Sequence, residues 1–316
     1  MTKQISSFLF FLFAVCTLRS QQLPEYTMYR FNGLYINPAY TGSHDCLNTT
    51  AIYRHQWVKV PSAPRSASVA LHSPFKNNKI ALGGIYTYDQ SGVTKTNTLT
   101  ADFAYRIPVG KKKKVKLCFG LSASLTNYST DFSKVNVVDA GDENFTLNSQ
   151  SLWLPNFGFG FYAYSEKFFI GIAAPHILAN TLDGKRKIFE TSTGNARQYH
   201  HLFATAGYVF TLGKKVKFMP SALVKYVPVN APITADFNVS FIFIDRVWIG
   251  AGYRLTDSYS FNAAVNVTKQ LKIGYAYDLT VSPLSKYTTG THEILLSFDA
   301  VFSHGRVVSP RYVKMF

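Results

Sequence analysis

The stretch Leu271-Lys272-Ile273-Gly274-Tyr275-Ala276-Tyr277-Asp278-Leu279 decides the fold. Side chains of a strand project to opposite faces at successive positions. Leu271, Ile273, Tyr275, Tyr277 and Leu279 therefore point one way, and Lys272, Gly274, Ala276 and Asp278 the other. One face is oily and the other polar. The same alternation recurs along most of the chain, near 49–59, 66–74, 79–89, 95–108, 114–127, 151–164, 167–175, 200–212, 215–227, 232–244, 247–255, 258–267, 270–280 and 290–303. So many amphipathic ribbons need either a large core or lipid. Their polar faces carry Arg, Asp and Glu, which a dry core rejects unless they are paired. A closed antiparallel barrel with lipid outside and a hydrated or ion-paired lumen satisfies both faces, and an even number of strands returns the last to the first. The expectation is an all-β, up-and-down transmembrane barrel of about 14 strands.

Composition agrees. The chain has 20 Tyr and 26 Phe, as aromatic girdles require, and only 16% charged residues. Beyond the N-terminus no apolar run reaches the ~18 residues that a spanning helix needs. Residues 1–20 read as a secretory signal, with Lys3 before an apolar stretch and cleavage near Ser20. Residues 21–48 are dense in turn signals (Pro24, Asn32-Gly33, Asn37-Pro38, Thr41-Gly42) and in aromatics. They are expected to form an ordered, non-strand lead segment that packs on or inside a barrel spanning 49–303. Residues 304–316 are then a periplasmic C-terminal tail, with Phe316 or Phe302 as a terminal aromatic.

Loop length divides the connections into two sets. One set is tight, including 76–79, 110–113, 165–166, 213–214, 245–246 and 268–269; the other holds the long segments 128–150, 176–199 and 281–289. In outer-membrane barrels the tight turns face the periplasm and the long loops the exterior. The tight turns carry much of the net charge of +16, notably Lys111, Lys112, Lys113, Lys114, Lys214 and Lys215. Two readings stand: solvated turn lysines, or a basic periplasmic rim that docks an acidic partner. No nucleic-acid-reading motif accompanies them.

Outward positions include Leu99, Phe103, Tyr105, Ile107, Phe237, Val239, Phe241, Phe243, Ile294, Leu296, Phe298 and Phe302. Inward positions include Asp102, Arg106, Asp236, Asn238, Lys225, Arg254, Lys272 and Asp299, and Arg54 is placed to pair with Asp278 or Glu293 across the seam. Mixed charge favours ion pairing over a strongly selective pore. Many inward residues are small, such as Gly120, Ser122, Ser124, Gly250, Gly252 and Ala264, and leave room for water or for an inserted segment. With Cys16 in the signal, Cys46 and Cys118 remain, more readily two thiols than a bridge. His200-His201 reads as a strand start. No GxSxG, GxGxxG, P-loop or HExxH motif occurs, so no catalytic residue, metal or cofactor is expected.

Several blocks taken in order resemble the PorP/SprF family of outer-membrane proteins of the type IX secretion system. They are Tyr29, Phe31-Asn32-Gly33-Leu34-Tyr35 and Asn37-Pro38-Ala39-Tyr40-Thr41-Gly42; Tyr53-Arg54-His55-Gln56-Trp57; Gly274-Tyr275-Ala276-Tyr277-Asp278; and Gly290-Thr291-His292-Glu293-Ile294. The resemblance implies a 14-stranded barrel in the cell outer membrane. It further implies a role in secretion or surface attachment of a large partner, such as a gliding adhesin, through that partner's C-terminal domain, in contact with other secretion components. Tyr29, Phe31, Asn37, Pro38, Tyr40, Gly42 and Trp57 are the candidates for plugging the lumen or receiving that partner. The alternative is a channel for small or hydrophobic solutes.

Overall fold

The computed structural model describes residues 23–110, 114–131, 150–180, 186–188, 200–228 and 233–300. Fourteen antiparallel strands close into a barrel. They are β1 (Leu47–His55), β2 (Arg65–Phe75), β3 (Ile80–Ser91), β4 (Thr94–Val109), β5 (Val115–Thr130), β6 (Gln150–Tyr164) and β7 (Phe168–His176). The second half comprises β8 (His201–Tyr208, continued by Phe210–Thr211), β9 (Val216–Tyr226), β10 (Thr234–Phe243), β11 (Val247–Arg254), β12 (Ser258–Asn266), β13 (Leu271–Thr280) and β14 (Thr291–Ala300). Each strand pairs with its neighbours in sequence, and β1 closes the ring against β14, with Leu47 opposite Ala300 and His55 opposite His292. Backbone groups of the wall are thus paired from strand to strand around the ring, as lipid demands.

The alternation sets the faces. Leu99, Phe103, Phe237, Phe241, Ile294 and Leu296 are exposed on the outer surface, whereas Asp102, Arg106, Asp236, Asn238 and Glu293 are buried inside. The tight turns have local causes. Ile244 and Asp245 both take positive φ, the geometry of a two-residue hairpin whose twist matches the strands. The Ser165 hydroxyl accepts from the amides of Lys167 and Phe168.

Two boundaries differ from the sequence reading. β1 stops at His55 rather than near 59, because Trp57 and Lys59 adopt positive φ and cannot continue a strand. Within the long segment 176–199, Leu178–Asn180 pairs with Arg186–Ile188 in a short hairpin. Neither Cys46 nor Cys118 forms a disulfide. The signal, Lys111 to Lys113, residues 132–149 and the tail with Phe302 and Phe316 lie outside the described residues.

Candidate functional site in the lumen

The lead segment lies inside the barrel. It has no strand; three single 3-10 turns, Tyr29–Phe31, Gly33–Tyr35 and Pro38–Tyr40, fold it into a compact thread. Its apolar side chains Tyr26, Met28, Tyr29, Leu34, Ile36, Ala39 and Tyr40 join wall residues such as Ile52, Tyr162, Phe203, Leu223, Trp248 and Leu295 in one buried cluster. The thread begins at the outer ends of β9 and β11 and descends to the periplasmic ends of β14 and β5. Glu25 meets Lys225 and Arg254 at the top, while His44 meets Asp299 and Asp45 meets Lys116 at the bottom.

At the outer end the contacts are ionic. Arg54, whose side chain is only 2% exposed, donates to Asp278 at 2.7 Å and to Glu293 at 3.1 Å. The lead segment completes this cluster: the Thr27 hydroxyl donates to Asp278, and the amides of Thr27 and Met28 donate to the two Glu293 oxygens at 2.9 and 2.7 Å. Glu25 accepts from Lys225 at 2.7 Å and from Arg254 at 3.0 Å, and Arg254 also holds Asp236 at 2.7 Å. A buried ion survives only when paired and hydrogen-bonded. Here Arg54, Lys225, Arg254, Asp278 and Glu293 each meet another wall charge or the lead segment. Deeper down, Arg30 donates to Ser240 at 2.6 Å and to Asn262 at 3.2 Å. Lys272 stands 4.6 Å from the Phe31 ring centre and 4.1 Å from that of Trp248, a cation held by aromatic faces.

Toward the inner end, above the His44–Asp299 and Asp45–Lys116 pairs, the contacts are chiefly of shape. Asn37 caps its turn by accepting from the Ala39 amide, and its amide nitrogen donates to the carbonyls of Phe161 and Ile172 in the wall. Gly160 and Gly171 make that reach geometrically feasible: a Cβ on Gly160 would lie 2.0 Å from the Asn37 oxygen, and one on Gly171 2.9 Å from its nitrogen. A Cβ on Gly120 would lie 2.1 Å from the Ala39 amide and 2.3 Å from the Pro38 carbonyl carbon. Tyr40 donates to or accepts from His44 at 3.0 Å and packs edge-on against His72 and Tyr162. Gly42, at positive φ, donates its amide to His72 and accepts from Arg106 at 2.6 Å. The inserted segment, not water, uses the room left by the small inward residues Gly120, Gly160 and Gly171. The described cavities between thread and wall have volumes of about 10 to 20 Å³, room for single waters.

The structure therefore brings Tyr29, Phe31, Asn37, Pro38, Tyr40 and Gly42 together with Arg54, Asp278 and Glu293. Trp57 stands apart, in the outer loop after β1, where its amide donates to Thr291 and the next residue, Val58, bonds to Gly290. Lys114, Lys214 and Lys215 are exposed at the opposite, periplasmic rim. His292 and Glu293 are adjacent in sequence but face opposite sides: His292 bonds Tyr275 on the outer surface, Glu293 the lead segment within. They cannot act together on one substrate. Glu25 was missed from sequence, although an acid in an aromatic lead segment, facing a lumen that carries Arg and Lys, is a readable signal. Among the described residues no group of three or more His, Cys, Asp or Glu could hold a metal.

Comparison with known proteins places this architecture. The monoaromatic hydrocarbon channel CymD shares the fold at a TM-score of 0.51 and 11% identity, covering 87% of this chain and 94% of that one. A Pseudomonas aeruginosa FadL homologue (TM-score 0.46, 12% identity, 88% and 95% covered) and the KdgM porin (0.39, 10%, 80% and 99%) are more distant in shape. No curated protein sequence matches the chain. Residues 18–298 match the family described as type IX secretion system membrane protein PorP/SprF. With its closed barrel, lipid-facing exterior and a family match over residues 18–298, the chain is an outer-membrane protein that belongs to the PorP/SprF family.

Proposed function

We propose that this barrel holds a large, adhesin-like secreted protein at the cell surface through that protein's C-terminal domain. The lysine-bearing periplasmic turns then meet other components of the secretion machinery. The observation that carries this reading is the occupied lumen. The thread is tied to β1, β2, β4 to β7 and β9 to β14 by hydrogen bonds or ion pairs, so the barrel suits a docking platform better than a conduit. Membership of a secretion family supports a protein client over a small solute.

The test is a pull-down of the full chain in mild detergent, paired with deletion of its gene. The expected result is co-purification of one large surface protein, which leaves the cell surface for the medium on deletion. Unchanged surface display without this protein would sink the reading. Planar bilayers separate the alternative: steady conductance of the wild-type barrel would favour a solute channel, and silence is expected.

A further inference from the structure

The pairing register runs one row of outward side chains across six strands at the outer rim. Lys95 of β4 stands opposite Gln90 of β3, Gln90 opposite Arg65 of β2, and Arg65 opposite His55 of β1. His55 stands opposite His292 of β14, and His292 opposite Tyr277 of β13. In β4, β3, β2, β1 and β14 the outward face changes character at this row. Just inside it stand Asn97, Tyr88, Ala67, Tyr53 and Ile294, and inside those Leu99, Tyr86, Val69, Ala51 and Leu296. The phenols reach toward the polar side: Tyr88 donates to Gln90, Tyr86 to Asn97, and Tyr275 bonds His292 at 2.6 Å. Taken across the five strands, a mostly apolar and tyrosine-bearing band gives way to a row of Lys95, Gln90, Arg65, His55 and His292, which marks the depth where acyl chains give way to headgroups.

Arg65 and Lys95 are both exposed, and among the described residues no carboxylate pairs with either. The loops above this sector, 56–64, 92–93 and 281–290, contain no Asp or Glu and add Lys59 and Lys286. The other side of the barrel lacks this row. Outward residues of β8 to β12 include Leu202, Tyr226, Phe237, Tyr253 and Tyr259 but no Lys or Arg. Solubility does not require cations confined to one sector at one depth.

We infer that this row is a binding site for the phosphorylated headgroup of an outer-leaflet glycolipid. Arg65 and Lys95, two strands and thus about 10 Å apart, bracket the phosphate-bearing sugar. Gln90 lies between them as a hydrogen-bonding group, and Tyr53, Tyr86 and Tyr88 pack against the upper acyl chains. Such a lipid fixes the barrel's rotation in the leaflet and gives the sector bearing Trp57 a defined environment.

The experiment is native mass spectrometry of the full chain in detergent, incubated with diphosphorylated lipid A or with phosphate-free lipid A of the same acyl composition. Wild type is expected to retain the phosphorylated form selectively. Each surface cation near the membrane is worth roughly fivefold in affinity, so Arg65→Ser with Lys95→Ser should weaken retention about 25-fold. Lys214→Ser with Lys215→Ser, at the other rim, should leave it unchanged. Heat-modifiable gel migration checks folding, and Lys95→Gln alone should give about a fivefold loss should the double variant fail to fold. Equal retention by wild type and variant, equal uptake of the phosphate-free lipid, or full displacement by millimolar inorganic phosphate would each overturn the assignment. The last would reveal a simple anion site.

Discussion

The two ends of the lead segment are held by different physics. The outer end rests on charge: Glu25 on Lys225 and Arg254, and the Thr27 and Met28 amides on Glu293. The inner part adds fit to charge: Asn37 is seated over Gly160 and the Pro38-Ala39 backbone over Gly120, below which His44 meets Asp299 and Asp45 meets Lys116 and Arg106. Charge contacts have alternatives, because water or another ion can take either partner. A backbone packed against a glycine has none. The thread is therefore built to be anchored from below and exchangeable from above, on the side that faces the cell exterior.

The sharpest way to break this contrast is at Arg54. Arg54→Met removes the cation between Asp278 and Glu293 and leaves two buried acids to repel each other. Loss of one partner from a buried pair costs about 3–5 kcal/mol. Urea unfolding of the barrel refolded into vesicles should show a loss of that size. A change below about 1 kcal/mol would mean that water already compensates the acids, and that the outer cluster is not the anchor of the seam.

Much of the wall was legible because a strand writes its face into every second residue. Leu99, Phe237 and Ile294 could be assigned to lipid, and Asp102, Asp236 and Glu293 to the lumen, without coordinates. Arg54 with Asp278 or Glu293 was readable because all three point inward and closure of the barrel brings the first strand to the last. The thread was harder. Its turn residues excluded a strand, but its partners lie far away in sequence, as with Thr27 and Glu293, 266 residues apart. Local pattern carries no information about such pairs. Gly120 announced spare room without saying what filled it. The end of β1 was misplaced because positive φ at Trp57 and Lys59 leaves no trace in residue type.

A second test addresses the inner end. Gly120→Leu places a side chain where the Ala39 amide and Pro38 carbonyl carbon now lie. Both obstacles are backbone, so neither can rotate aside. Overpacking of this kind costs about 1–3 kcal/mol. The expected result is a barrel that still inserts but whose thread is unseated, read as faster amide hydrogen exchange at Tyr40 and Thr41. Unchanged exchange there would show that the thread slides past the obstruction and that fit does not hold it.

The smallest effect should come from Glu25, and it separates the two ends most cleanly. Glu25→Gln keeps the shape and removes the charge. Arg254 retains Asp236, while Lys225 keeps a hydrogen bond only to the neutral Gln oxygen, so part of the cluster is disturbed. A charged hydrogen bond contributes about 1.5–3 kcal/mol, and the group's 17% exposure lets water recover some of it. Stability should therefore fall by about 1 kcal/mol. Exchange should rise at the Thr27 and Met28 amides while Tyr40 and Thr41 stay protected, because the Asn37 anchor lies between. Raised salt should mimic the variant weakly in wild type, since screening acts on the partly exposed pairs Glu25–Lys225 and Asp45–Lys116 and not on a backbone seated over glycine. Equal acceleration at both ends would mean that the thread moves as one body, and the division between an exchangeable top and a fixed base would fall.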